Sequence, residues 1–123
     1  MPEQSQISPK RILLVDDDSA ARQSIKLLLS IDRHQVTEAA SSPEALRLFA
    51  PCRFDLALLD YFMPNVQGDR LAAVLRDLDP MLPIVMVSAY AEKLVDSHLP
   101  VNAILCKPFG IEELRKAVAD VTS

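Results

Sequence analysis

Asp16, Asp17, Asp60, Ser88 and Lys107 are the side chains in this sequence whose types and placement could do chemistry. Asp16-Asp17-Asp18 directly follow the apolar run RILLV, Asp60 follows DLALL, Ser88 follows PIVMV, and Lys107 comes just beyond VNAIL. Carboxylates gathered in one crevice repel one another and call for raised pKa values or a cation between them. An open, solvated set of oxygen ligands suits a hard divalent ion that keeps some of its waters, such as Mg2+. Neither histidine nor cysteine shares the pattern, which disfavours zinc. An ammonium group and a hydroxyl beside the metal would meet the equatorial oxygens of a transferring phosphoryl group. A carboxylate can itself accept that group as a nucleophile. The set therefore points to Mg2+-dependent phosphoryl chemistry on an aspartate. Each residue alone has a plainer role. Asp18 or Ser19 suits a helix cap, Asp16 and Asp17 suit the helix dipole, Asp60 suits a turn, Ser88 a cap and Lys107 a solvated surface. Their joint arrival at one place is what favours chemistry.

The elements that would bring them there are legible as alternating patterns. Residues 11–15, 55–59, 83–87 and 101–105 are almost continuously apolar, as strands buried on both faces should be, and 35–39 (QVTEA) is a weaker run. Helical spacing appears in Ala21, Ile25, Leu28 and Leu29, in Leu71, Val74, Leu75 and Leu78, and in Ile111, Leu114, Val118 and Val121. Ser42-Pro43-Glu44 reads as a helix start, with the Ser42 hydroxyl as cap and proline at the first helical position. Gly110 followed by Glu112 and Glu113 opens the last helix with acid in its first turn. A fourth helical stretch, residues 90–98, is short and stopped by Pro100. Strict strand–helix alternation implies a parallel sheet, and right-handed crossovers place helices on both of its faces. The expected fold is a single doubly wound α/β domain over residues 10–123, preceded by a mobile polar tail at 1–9. Ligands of such a sheet bind beyond the carboxyl ends of the strands, where the reactive side chains fall.

Composition narrows the function further. At 123 residues with half of them apolar, the chain is one domain with enough material for a core. Thirteen basic against seventeen acidic residues give a net charge of −4, and with no basic run a duplex-binding surface is not expected. The two glycines, Gly68 and Gly110, are too few and too far apart for a glycine-rich phosphate loop. Cys52 and Cys106 form no C-x-x-C pair and read as reduced thiols, Cys106 as a small hydrophobe at the end of a buried strand. His34 and His98 read as isolated surface histidines. No apolar run is long enough to cross a bilayer, and the N-terminus lacks a signal-peptide stretch, so a soluble cytoplasmic protein is expected.

Taken together, Val15-Asp16-Asp17-Asp18, Leu59-Asp60-Tyr61-Phe62-Met63-Pro64 with Gly68, Val87-Ser88-Ala89 and Lys107-Pro108-Phe109 resemble the signatures of response-regulator receiver domains. The motifs occur in the family's order and span nearly the whole chain. The resemblance implies a flavodoxin-like five-stranded sheet of order 2-1-3-4-5. It makes Asp60 the phosphoacceptor, supplied by the phosphohistidine of a histidine kinase or a histidine phosphotransfer protein. Asp16, Asp17, Asp60 and the main-chain carbonyl of Phe62 would hold Mg2+. Lys107 would pair with Asp60 and then with the phosphoryl group, and the Ser88 hydroxyl would move towards that group. Lys107–Pro108 would be a cis peptide. Such a domain is a regulatory switch read by a downstream protein or output domain. It is not an enzyme with an outside substrate, and catalyses at most its own phosphorylation and dephosphorylation.

The sequence also departs from the family. Ile104 stands where an aromatic residue is common, the segment between Ser88 and Lys107 is nearly a helical turn short, and the customary glycine is missing from residues 99–103. A short or irregular fourth helix is expected, and the usual output face is not assumed. Phe62 and Tyr90 flank the presumed site, either packing on each other or obstructing the water that would hydrolyse an aspartyl phosphate. A competing resemblance is to haloacid-dehalogenase-like phosphohydrolases, with Asp16 as nucleophile and Asp18 as acid/base. It lacks the further acidic pair that family needs, since only Glu112 and Glu113 follow the lysine, and it leaves Asp60 without a role. A third reading, a scaffold that only binds partners, leaves the costly cluster of like charges unexplained.

Overall fold

In the computed structural model, which describes residues 8–63, 66–94 and 99–122, strands and helices alternate along the whole chain. They are β1 (Arg11–Val15), α1 (Ser19–Ile31), β2 (Gln35–Ala39), α2 (Ser42–Leu48), β3 (Leu56–Asp60), α3 (Gly68–Leu78), β4 (Ile84–Ser88), α4 (Ala91–Leu94), β5 (Ala103–Cys106) and α5 (Ile111–Thr122). The strands are all parallel, in the order β2-β1-β3-β4-β5. Having placed β2 on one side of β1, the chain places β3 on the other. The switch point therefore lies between β1 and β3, and the tips of these two strands are neighbours. Register completes the arrangement: Val15 pairs with Leu59, Asp60 with Val87 and Ser88 with Cys106. Residues 16, 60, 88 and 107 thus share one edge.

Alternation of side chains sends the central strands into two cores. Leu13, Val15, Ala57, Leu59 and Met86 pack with Ala45, Leu71, Leu75 and Leu94 on one face. Ile12, Leu14, Leu58, Val85 and Val87 pack with Ile25, Leu29, Leu114 and Val118 on the other. Helices cover both faces, as the alternation of elements predicts. β3 and β4 each lie one residue beyond the apolar run that marks them. Pro83 cannot donate to the ladder and lends only its carbonyl, to Ala57 N–H at 3.0 Å, so β4 starts at Ile84; at the other end the strands run to Asp60 and Ser88.

Several expectations are corrected. β5 is an edge strand only partly covered, so Cys106 is exposed rather than a buried hydrophobe. The cap of α2 is Ser41, whose hydroxyl accepts from Glu44 N–H, while the buried Ser42 hydroxyl donates to Val66 O at 2.9 Å. α3 buries Gly68, Leu71, Ala72 and Leu75, and leaves Val74 and Leu78 in solvent. His34 is buried, its Nδ1 accepting from Lys10 N–H at 2.8 Å, and burial holds its pKa below the usual histidine value. Residues 1–7 of the expected tail, Pro64 of the second motif, and 95–98 of the expected fourth helix, with His98, lie outside the described residues. Among the described residues no helix is long and apolar enough to cross a membrane.

Candidate functional site

Asp16 extends β1 by one ladder bond, its N–H donating to Ala39 O at 3.1 Å, and its side chain is 1% exposed. One carboxylate oxygen, Oδ1, accepts from Asp18 N–H at 2.9 Å, which turns the chain towards α1. Asp18 then spends its own carboxylate on the helix, accepting from Ala20 and Ala21 N–H, so it is a cap and not a member of the cluster. Asp17, between them, is exposed. Asp60 arrives from the neighbouring strand, and carboxylate oxygens of Asp16, Asp17 and Asp60 all lie within 4.8 Å of one another.

Lys107 reaches the same place from the far side of the sheet. Its N–H donates to Ser88 O at 2.9 Å, and the peptide to Pro108 is cis. Its ammonium lies 3.2 Å from Asp60 Oδ1 and 3.4 Å from Asp16 Oδ2. Ser88 closes β4 fully buried, with its Oγ accepting from Tyr90 N–H at 2.9 Å. Phe62 follows Asp60 in the turn, where its ring meets Tyr61 edge-on at 4.8 Å and Tyr90 edge-on at 5.7 Å. The expected packing of Phe62 on Tyr90 is therefore present, with both residues half-exposed.

The electrostatics follow from crowding. Burial pushes the Asp60 carboxyl up to about 6, and negative Asp16 and Asp17 add to that against the pull of Lys107. Burial works to lower the Lys107 pKa, but Asp16 and Asp60 outweigh it, so the ammonium is held more firmly than usual. Among the described residues Lys107 is the cation facing the three carboxylates, and an all-oxygen donor set with surplus negative charge fits a hard divalent ion.

Two further residues support the site: Gly68, which belongs to the second motif, and Arg22, which spacing did not single out. Gly68 opens α3 against the end of β3, its N–H donating to Tyr61 O at 2.8 Å. A β-carbon there would collide with the main-chain oxygen of Asp60 and lie 2.9 Å from Met86 Sδ. Behind the acidic turn, Arg22 Nη1 donates to Asp16 O at 2.7 Å and Nε to Glu38 Oε1 at 3.0 Å. Glu38 also accepts from Lys26 and Gln23, and Lys26 above all, with Arg22, holds its carboxyl below the usual range. Glu113, which follows the lysine in sequence, accepts from Gly110 N–H and serves the start of α5.

Residues 12–119 match the model of the family described as the response regulator receiver domain. The chain is 38% identical over 109 residues to the response regulator MprA of Mycolicibacterium vanbaalenii, an alignment covering 86% of this chain and 47% of that protein. The chain spans about half the length of the curated relatives it matches. Among solved structures, the non-phosphorylated HemR receiver domain of Leptospira biflexa superposes with a TM-score of 0.82 at 33% identity, over 94% of this chain and 95% of that one. The response regulator TrrA of Thermotoga maritima, in complex with Mg2+ and BeF, gives 0.82 at 29% identity, covering 91% and 98%.

Proposed function

The chain belongs to the response regulator receiver family, and on that premise we propose that it is the phosphoacceptor of a two-component relay with Asp60 as the residue modified. The observation that carries this reading is Lys107 Nζ bridging Asp60 and Asp16 within a cluster of three carboxylates. A carboxyl that titrates near 6 is mostly ionised at neutral pH and available as a nucleophile. An Asp60 oxygen attacks phosphorus on a partner's phosphohistidine; the P–O bond forms, the P–N bond breaks, and its electron pair returns to the imidazole. Asp16, Asp17 and Asp60, with the carbonyl of Phe62, would hold Mg2+, which would neutralise charge on the phosphoryl oxygens. Lys107 meets the same oxygens from the other side, and the Ser88 hydroxyl donates to them once it leaves the Tyr90 N–H. The pocket then holds a dianion in place of a carboxylate, and the loop after Ser88 is the segment through which that change is passed on.

The donor is a histidine kinase or a histidine phosphotransfer protein, and the reader is a downstream protein or an output domain. Direct nucleic-acid binding does not suit a chain with net charge −4. The test is labelling with a small acyl phosphate and Mg2+, followed by mapping of the hydroxylamine-sensitive site. Label on Asp60, lost in Asp60→Asn and without Mg2+, supports the reading. Label on Asp16 would transfer the case to a haloacid-dehalogenase-like phosphohydrolase.

A further inference from the structure

Arg22 lies in the first turns of α1, behind the acidic turn and not in it. Its guanidinium holds two acceptors on two other segments, the main-chain oxygen of Asp16 at 2.7 Å and Glu38 on β2 at 3.0 Å. A planar fork can fix both at once in a way a single ammonium cannot. The partner is itself immobilised, because Glu38 accepts from Lys26 and Gln23 at 2.9 Å each. With a side chain only 15% exposed, Arg22 is also no loose surface ion pair.

The remaining polar atoms of Asp16 are already engaged: N–H by Ala39 O, Oδ1 by Asp18 N–H, Oδ2 by Lys107. Arg22 takes the carbonyl. Because a peptide is planar, fixing that oxygen fixes the plane joining residues 16 and 17. The direction in which Asp17 sends its carboxylate follows from this plane. Asp17 needs such help, since its exposed carboxylate makes no hydrogen bond among the described residues.

We propose that Arg22, braced by Glu38, is a positioning residue that preforms the Mg2+ site by holding Asp16 and Asp17 towards Asp60. The inference rests on the reading of these carboxylates as the metal site. Charge alone predicts the opposite result, because removing a cation near a metal site should tighten metal binding. The sign of the effect therefore separates positioning from electrostatics.

Mg2+ is titrated by calorimetry into the wild-type chain, Arg22→Ala and Arg22→Lys, with urea unfolding in chelator run alongside to establish that each variant is folded. Both variants are expected to bind Mg2+ about tenfold or more weakly, as losses behind metal ligands do. The rate of phosphorylation by a small acyl phosphate should return towards the wild-type value at saturating Mg2+, as befits a defect in metal affinity and not in the transfer itself. A folded variant that binds Mg2+ as tightly as wild type, or more tightly, overturns the proposal. Arg22→Lys, which keeps the charge and most of the stem, decides the matter if Arg22→Ala does not fold. Absence of Mg2+ binding by the wild-type chain at millimolar concentration would instead remove the metal reading itself.

Discussion

Phe62 and Tyr90 leave two aromatic rings half in water beside Asp60, edge to face at 5.7 Å. These rings are expected to obstruct a water approaching in line with the bond from Asp60 to a phosphoryl group. Replacing Phe62 with Asn removes the ring and adds groups that can orient a water. Aspartyl-phosphate hydrolysis is expected to quicken about tenfold, or about 1.4 kcal/mol off its barrier, timed after removal of the phosphodonor. An unchanged half-life would reduce the pair to mutual packing. His34 is a second residue whose setting makes a forecast. Burial depresses its pKa and Lys10 adds to this, while Asp32 opposes. A histidine that binds its proton less readily folded than unfolded contributes stability above the unfolded pKa, near 6.5, and loses it as pH falls below that value. Protonation would also forfeit the bond from Lys10 N–H to Nδ1. Urea unfolding at descending pH should show stability dropping more steeply in the wild type than in His34→Gln; parallel curves would show that His34 does not set the slope.

At the scale of elements, the junction of β3 with α3 governs where Asp60 points. Gly68 is there because the first turn of α3 presses on the Asp60 peptide. Gly68→Ala must displace either that main chain or Met86, at a cost of about 1–3 kcal/mol. It should lower the unfolding midpoint and the phosphorylation rate together; a full rate in a destabilised protein would disconnect the junction from the site. The same junction shows what could be read without coordinates. β1, β3 and β4 announced themselves because burial on both faces demands an unbroken apolar run, and the residue that ends such a run is then marked for the sheet edge. The strand order came from the family resemblance, since periodicity says nothing about which strands are neighbours. β5 looked as apolar as the others, yet edge position exposes Cys106. Ser41 and Ser42 are interchangeable as caps by type, and only the turn itself decides between them. In α3 the stripe through Val74 and Leu78 was real in spacing but faced solvent, whereas the packed face used Gly68 and Ala72, whose small size weakens any hydrophobic signal. Arg22 with Glu38, and His34 with Lys10, are contacts between elements, 16 and 24 positions apart, which no local pattern encodes.

Across the whole molecule, the sheet supplies the stability that its acidic edge spends. The sheet edge brings three carboxylates to the Lys107 ammonium, and burial first, then the charges of Asp16 and Asp17, push the Asp60 carboxyl up to about 6. A carboxyl whose pKa is higher folded than unfolded favours folding when protonated, below about 3.8, and that advantage is gone once pH rises through about 6. At neutral pH without metal, ionised Asp60 therefore works against the fold. Asp60→Asn keeps the shape and removes the charge, so in chelator at neutral pH it should be more stable than wild type by about 1–3 kcal/mol. Mg2+ should narrow the gap. A ligand of the folded state at ten times its dissociation constant contributes about 1.4 kcal/mol, and the wild type should gain this while Asp60→Asn, short of one ligand, gains less. Urea unfolding of both proteins with chelator and with Mg2+ checks the narrowing. If Asp60→Asn were the less stable protein in chelator, the carboxylates would not be in conflict, and the case for a cation at this edge would lose its physical basis.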